Sequence, residues 1–305
     1  MEIELPTRAG EPRLSLAARS DTGRSRTNNQ DYAYAGELPG APNWTLLAVA
    51  DGLGGHARGE WASRRAIELL ASALGEALES ETPAAALEQT IQLANAGIHA
   101  EARTLGAAGA ATTLVVALVR GREAWWANVG DSRLYRHHSG AVSQVSDDHS
   151  WVAEQVRASR LPRSAMKEHP EKNVVTRTVG FEATVSPDVG GPLLLREGES
   201  LVLCSDGLHG PVSDEVLGRS IAELGCEHAA ERLVELANDA GGPDNITVVI
   251  AHIDEPSTPA ASTELIEAPA PAARRSRKRF AFWAGASAAV ALAAGAGIFA
   301  AVMFL

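Results

Sequence analysis

Three apolar, strand-like runs each carry an aspartate at one end, and this pattern constrains the chain more than any other feature. Asp51 closes Leu46-Leu47-Ala48-Val49-Ala50-Asp51-Gly52-Leu53-Gly54-Gly55, and Asp206 closes Leu201-Val202-Leu203-Cys204-Ser205-Asp206-Gly207. Asp244, in Gly241-Gly242-Pro243-Asp244-Asn245, opens Ile246-Thr247-Val248-Val249-Ile250. A carboxylate at the end of a buried strand either faces water or carries a desolvation cost, unless a cation meets it there. Several of them gathered by one fold form an oxygen-rich pocket suited to hard divalent cations.

The formal net charge of -11 excludes nucleic acid as the main partner, because phosphate binding needs a basic face. Residues 1–273 hold 22 basic against 38 acidic groups, a formal -16, while Arg274-Arg275-Ser276-Arg277-Lys278-Arg279 concentrates five of the 27 basic residues. Two cysteines, Cys204 in a strand-like run and Cys226 at a helix start, give no disulfide framework and imply a reducing compartment. The acidic N-terminus, residues 1–6, lacks the apolar stretch of a signal peptide.

From Phe280 to Leu305 no charged residue occurs. At 1.5 Å per residue a helix of this length crosses a hydrocarbon core of about 30 Å. The basic cluster directly before it places residues 1–279 on the cytoplasmic side by the positive-inside rule. The expectation is therefore a single-pass protein of the inner (cytoplasmic) membrane with the domain that precedes the span in the cytoplasm and no extracytoplasmic sensor. Residues 254–273 are rich in Pro, Ala, Ser and Thr without an apolar period, so 254–279 reads as a flexible linker ending in the basic cluster.

The remaining organisation is a tail over 1–11 and one domain over 12–253. Strand-like runs fall at Trp44–Ala50, Thr112–Val119, Ala124–Val129, Arg133–Arg136, Leu201–Cys204 and Ile246–Ile253. Helical spacing covers about 59–79 and 83–105, the second with Thr82 as N-cap and Pro83 in its first turn. Two more helices fit Ser213–Leu224, capped by Ser213, and Glu227–Asp239. Helices paired between groups of strands indicate an α+β domain with mostly antiparallel sheets. The stretch 147–180 is polar and loop-like, an excursion from the core.

An ordered set of motifs closely resembles the metal-dependent protein phosphatases (the PPM or type 2C Ser/Thr phosphatases), in their bacterial branch. Arg19-Ser20-Asp21-Thr22-Gly23-Arg24-Ser25-Arg26-Thr27-Asn28-Asn29-Gln30-Asp31 and Ala50-Asp51-Gly52-Leu53-Gly54-Gly55-His56 resemble the first two motifs. Thr112-Thr113 and Asn128-Val129-Gly130-Asp131-Ser132-Arg133 match the middle ones. Asp148-His149-Ser150, His169-Pro170 and Thr176-Arg177-Thr178-Val179-Gly180 resemble the bacterial flap region, about 147–180. Cys204-Ser205-Asp206-Gly207-Leu208 and Pro243-Asp244-Asn245-Ile246-Thr247 match the last motifs.

The resemblance implies a sandwich of two antiparallel β-sheets flanked by α-helices, plus the C-terminal transmembrane helix read above. It implies two core ions, Mn²⁺ or Mg²⁺, with a third weaker site. Asp51 would bridge the two ions, the Gly52 carbonyl would bind one, and Asp206 and Asp244 would complete the pair. Asp31 would act on an ion directly or through water, and Asp131 would hold the weaker ion with Asp206. A metal-bridging hydroxide would attack phosphoserine or phosphothreonine on proteins, with Arg26 gripping two phosphate oxygens. Phosphorylated proteins, including a bacterial-type Ser/Thr protein kinase, are the implied partners.

Two positions depart from the family pattern. Gln30 stands where Glu is common, and Leu53 stands where animal relatives have His, so the general acid is left open. His149 and His169 read as hydrogen-bonding or surface residues rather than ligands, and Arg24 as a solvated loop charge. The competing reading is a catalytically silent, membrane-tethered phosphoprotein-binding module.

Overall fold

The apolar runs and paired helical patterns resolve into twelve strands and five helices in the computed structural model, which describes residues 3–4, 12–54, 57–166 and 168–254. All of them belong to one compact unit, Met1–Thr258. In chain order they are β1 (Ile3–Glu4), β2 (Leu14–Asp21), β3 (Asp31–Leu38), β4 (Ala41–Leu53), α1 (Ala57–Ser80), α2 (Pro83–Thr104), β5 (Ala111–Thr112), β6 (Leu114–Arg120), β7 (Glu123–Val129), β8 (Arg133–His138) and β9 (Ala141–Gln144). Then follow α3 (Trp151–Arg157), β10 (Asp188–Leu194), β11 (Ser200–Cys204), α4 (Asp206–His209), α5 (Asp214–Asp239) and β12 (Ile246–Ile253).

One sheet runs β1-β2-β12-β11-β8-β9 and the other β10-β7-β6-β4-β3, with β5 on β4. Every pairing in both sheets is antiparallel. The expected α+β sandwich flanked by helices is the observed one. Thr82 caps α2, its hydroxyl accepting from the Ala85 N–H, with Pro83 at the first helical position. Ser213 caps α5, and Gly225 breaks that helix with φ 71° and ψ 177°. The two helices expected there are the two arms of one kinked element.

Burial explains why the central strands read as continuous apolar runs. Along β4, Leu47 and Val49 enter the layer between the sheets with Val115, Leu203 and Val249. Leu46 and Ala48 point the other way, into a layer with Ala66, Leu70, Leu87 and Ile91 of α1 and α2. On the far side, Tyr135, Val202 and Ile250 pack under Leu217 and Leu233 of α5. Each fully buried Leu or Val contributes roughly 1.5–3 kcal/mol. Trp125 and Trp126 take opposite faces of β7, as strand alternation requires.

Register then gathers the polar strand ends. Asp31 pairs opposite Asp51, Cys204 lies between Arg133 and Val248, and Ile246 lies beside Asp21. The segment 147–180 leaves this end between β9 and β10. It contains α3 and a 3-10 turn at Arg163–Ala165, is closed on itself by the bridge Ser150↔Val175, and rejoins the body through the bridge Thr112↔Val179. Among the described residues no helix is long and apolar enough to cross a membrane. The expected span, 280–305, and the linker beyond Asp254 lie outside the described residues.

Candidate active site

At the gathered strand ends, Arg26, Asp51, Gly52, Asp131, Asp206 and Asp244 line one cavity of about 200 Å³. Asp31 sits behind them, where one oxygen accepts from the Ser205 hydroxyl at 2.7 Å. Six residues separated by as much as 218 positions thus share one wall-to-wall site, as the motif order implied.

The backbone around each carboxylate is tightly held. The Asp51 N–H donates to Thr113 Oγ1 at 2.9 Å, and the Asp51 carbonyl accepts from Thr113 N at 2.8 Å and Thr112 Oγ1 at 2.9 Å. The Gly52 N–H donates to the Gln30 carbonyl at 3.1 Å. A Cβ on Gly52 would fall 2.1 Å from the Gly59 carbonyl oxygen, so only glycine lets α1 pack this close. Asn245 anchors the loop that carries Arg26: its Oδ1 accepts from the Gln30 N–H, and its Nδ2 donates to the Thr22 and Asn28 carbonyls at 2.9 and 3.0 Å. Arg133, in the Gly-Asp-Ser-Arg motif, makes a two-pronged pair with Asp148 at 2.9 and 2.7 Å and donates to the Tyr135 hydroxyl.

Electrostatics at the cluster are unfavourable without a cation. Burial and the negative charges of its neighbours push Asp31 and Asp131 up to about 7 and Asp206 up to about 6, while Asp51 is raised well above the usual carboxylate range. Asp31 Oδ1 and Asp206 Oδ1 are buried and accept no hydrogen bond. Bare, buried carboxylate oxygens of this kind are a donor set for hard divalent ions, so the residues present fit the metals that the resemblance implied. Asp244 stands apart: its Oδ2 accepts from Arg26 Nη2 at 2.8 Å and its Oδ1 from the Asn245 N–H at 2.9 Å. Among the described residues no three His, Cys, Asp or Glu side chains surround one point closely enough to hold an ion as they stand.

Several further residues reach the site, and of these only Gln30 was singled out in the sequence, as a departure from the family's Glu. Gln30 is buried, packs its amide against Gly59 and lines the same cavity. His209 donates from Nε2 to the Asp131 carbonyl at 3.0 Å. Burial pulls that ring down to about 3, so it is neutral near pH 7 with its Nε2–H directed at the Asp131 carbonyl. Lys172 and Asn173, from the excursion, line an adjoining cavity of about 500 Å³ with Arg26, Asp206 and Asp244. Lys172 makes no ion pair among the described residues, and no sequence signal singled it out. His56 lies outside the described residues.

Comparison with known proteins agrees with this geometry. The family model "Protein phosphatase 2C" matches residues 22–238. The serine/threonine protein phosphatase PstP of Mycobacterium tuberculosis is 36% identical over 248 residues, covering 79% of this chain and 45% of that protein, so the chain spans about half the length of this relative. Protein phosphatase PhpP of Streptococcus pneumoniae is 32% identical over 246 residues, covering 79% of this chain and 98% of that one. The crystal structure of the PstP catalytic domain in complex with two manganese ions superposes with a TM-score of 0.67 at 34% identity, covering 79% of this chain and 99% of that chain. A family model spanning most of the domain, relatives above 30% identity and the shared sandwich place this chain in the protein phosphatase 2C family.

Proposed function

We propose that the chain is a metal-dependent protein serine/threonine phosphatase that hydrolyses phosphoserine and phosphothreonine on proteins. The observation that carries this reading is the single cavity shared by Arg26, Asp51, Gly52, Asp131, Asp206 and Asp244, backed by two carboxylate oxygens without partners. Asp51, Asp206, Asp244 and the Gly52 carbonyl would hold two core Mn²⁺ or Mg²⁺ ions, Asp131 with Asp206 a weaker third, and Asp31 one ion directly or through water. Bound divalent ions would lower the pKa of water and offset charge on the transferring phosphoryl group. Arg26, on a loop pinned by Asn245, would exchange Asp244 for two phosphate oxygens, which its planar fork matches. Ser205 would keep Asp31 oriented through its 2.7 Å bond.

The test is hydrolysis of a phosphothreonine peptide by the purified full chain with added Mn²⁺ or Mg²⁺. Turnover that disappears with EDTA and in Asp206→Asn is expected. Tight metal binding without turnover would favour the silent binding module instead.

We further propose that the enzyme reverses a Ser/Thr protein kinase at the cytoplasmic membrane, held by a span over 280–305. Support comes from the absence of charge from Phe280 to Leu305 and the basic cluster before it. A tether with a coil-like linker of about 20 residues gives a reach near 25 Å and favours substrates at the membrane. Recovery of the full chain in the soluble fraction after gentle lysis would overturn the tether.

A further inference from the structure

His149 lies at the root of the excursion and is fully buried. It holds both backbone groups of Gly130, the residue before Asp131. The His149 N–H donates to the Gly130 carbonyl at 2.9 Å, and His149 Nδ1 accepts from the Gly130 N–H at 3.1 Å. Because Nδ1 accepts, the ring proton of the neutral imidazole sits on Nε2. Burial lowers the pKa of this ring and keeps it in that neutral form. Nε2 therefore donates to Asp188 Oδ2, 3.1 Å away, and Asp188 Oδ1 accepts from Arg177 Nη1 at 2.8 Å. Arg177 Nη1 also approaches Nε2 at 3.3 Å, a contact between two donors rather than a bond. One ring with a fixed tautomer thus joins the excursion, the first residue of β10 and the Asp131 loop.

Gly130 is suited to being held this way. Its φ is +108°, and a Cβ would fall 2.6 Å from Thr113 Cβ, so no other residue fits. The connection continues inward: Ser132 Oγ lies 2.8 Å from Thr113 Oγ1, which accepts from the Asp51 N–H. Hydrogen bonds from His149 to Gly130, the two peptide links through Asp131 to Ser132, and the bonds onward through Thr113 therefore connect the excursion to two of the proposed ligands. Asn128 reinforces it, donating from Nδ2 to the Gly130 and Asp147 carbonyls at 3.1 and 2.9 Å.

We propose that His149 is a positioning residue: it ties the flap-like excursion to Asp131, so that binding of the weaker metal ion at Asp131 depends on the excursion being seated. This rests on the reading of Asp131 as a ligand. Unseating the excursion, or removing the imidazole acceptor, lets Gly130 rotate and moves the Asp131 carboxylate away from Asp206. The two core ions, held by Asp51, Asp206 and Asp244, keep their ligands.

Calorimetric titration of the full chain with Mn²⁺ tests this, alongside circular dichroism to confirm folding. In His149→Leu the weakest Mn²⁺ constant is expected to loosen at least tenfold, while the tighter constants stay within about twofold. His149→Asn, whose side-chain oxygen can still accept near Gly130, should recover most of that loss. Should His149→Leu not fold, Asp188→Ala takes its place. It frees the ring proton to move to Nδ1, which removes the acceptor for Gly130, and the same weakest constant should loosen at least threefold. A folded His149→Leu or Asp188→Ala chain with all Mn²⁺ constants unchanged overturns the proposal alone. A wild-type chain that binds no Mn²⁺ overturns the parent reading and this one with it.

Discussion

Arg26 Nη2 donates to Asp244 Oδ2 at 2.8 Å, so the arginine expected to grip phosphate and the aspartate expected to bind metal hold each other. Both side chains are partly exposed, at 48% and 31%. A pair this open to solvent contributes about 0–1 kcal/mol. A divalent ion approaching Asp244 and a phosphate dianion approaching Arg26 each offer more, so the pair can be exchanged for both ligands at little cost.

Arg26→Ala should therefore separate metal binding from turnover. Losing a charged, two-pronged phosphate contact costs about 1.5–3 kcal/mol, which lowers kcat/KM on a phosphothreonine peptide by roughly 10–100-fold. Mn²⁺ affinity should stay equal or tighten, since Asp244 loses its competitor. Calorimetry with steady-state kinetics reads both; weaker Mn²⁺ binding together with unchanged turnover would sink the assignment.

The carboxylate cluster makes stability depend on pH in a stated direction. Unfolded aspartates titrate near 4, roughly, whereas burial and mutual repulsion hold Asp206 at about 6 and Asp31 and Asp131 at about 7 in the folded chain. Folded protein thus binds more protons across that window, and its stability falls as pH rises from about 4 through 7. The melting temperature in EDTA should drop between pH 5 and pH 8, and the gain on adding Mn²⁺ should grow over the same interval. A metal-free melting temperature that climbs with pH across this range contradicts the cluster.

The same repulsion predicts a trade of stability against function. Asp206→Asn removes one charge from a group whose Oδ1 is buried without a partner, next to Asp51, Asp131 and Asp244. In EDTA the variant should melt at a higher temperature than the parent, while its metal-dependent phosphatase activity drops to background. Equal melting temperatures would mean that the cluster stores no electrostatic strain.

How legible this was depended on burial and on sequence distance. β4, β6, β11 and β12 read clearly because both their faces are covered, which leaves no polar alternation to interpret. β3 and β10 are edge strands and gave no such signal; β10 even contains Gly190-Gly191-Pro192, a turn-like string that an edge tolerates through a register shift. β2 was hidden for a related reason: β1 pairs only with Ser15 and Leu16, so beyond them this strand, with Arg19 and Ser20 at its polar end, has a neighbour only in β12. The aspartates were legible because a carboxylate at a buried strand end has few other uses. The grip of His149 on Gly130, 19 residues apart, and the pairing of Arg26 with Asp244, 218 apart, depend on register between distant strands. Residue type made His149 a hydrogen-bonding candidate, but nothing local named its partner.

Asn245 offers the sharpest test of how the Arg26 loop is held. It is 4% exposed and makes three side-chain bonds, accepting from the Gln30 N–H at 2.8 Å and donating to the Thr22 and Asn28 carbonyls. Asn245→Ala leaves a buried N–H and two carbonyls unpaired. Each unpaired buried group costs about 1–3 kcal/mol, less where water reaches it, so a loss of about 2 kcal/mol or more is expected as a lower urea midpoint at unchanged slope. Because the loop also places Arg26, kcat/KM should fall in the folded variant while Mn²⁺ constants hold. Asn245→Asp keeps the acceptor for Gln30 but loses both donors and adds charge beside Asp244, so it should be no more active than alanine. A variant at this position that loses stability yet keeps full kcat/KM would show that Arg26 is placed by something other than the Asn245 anchor.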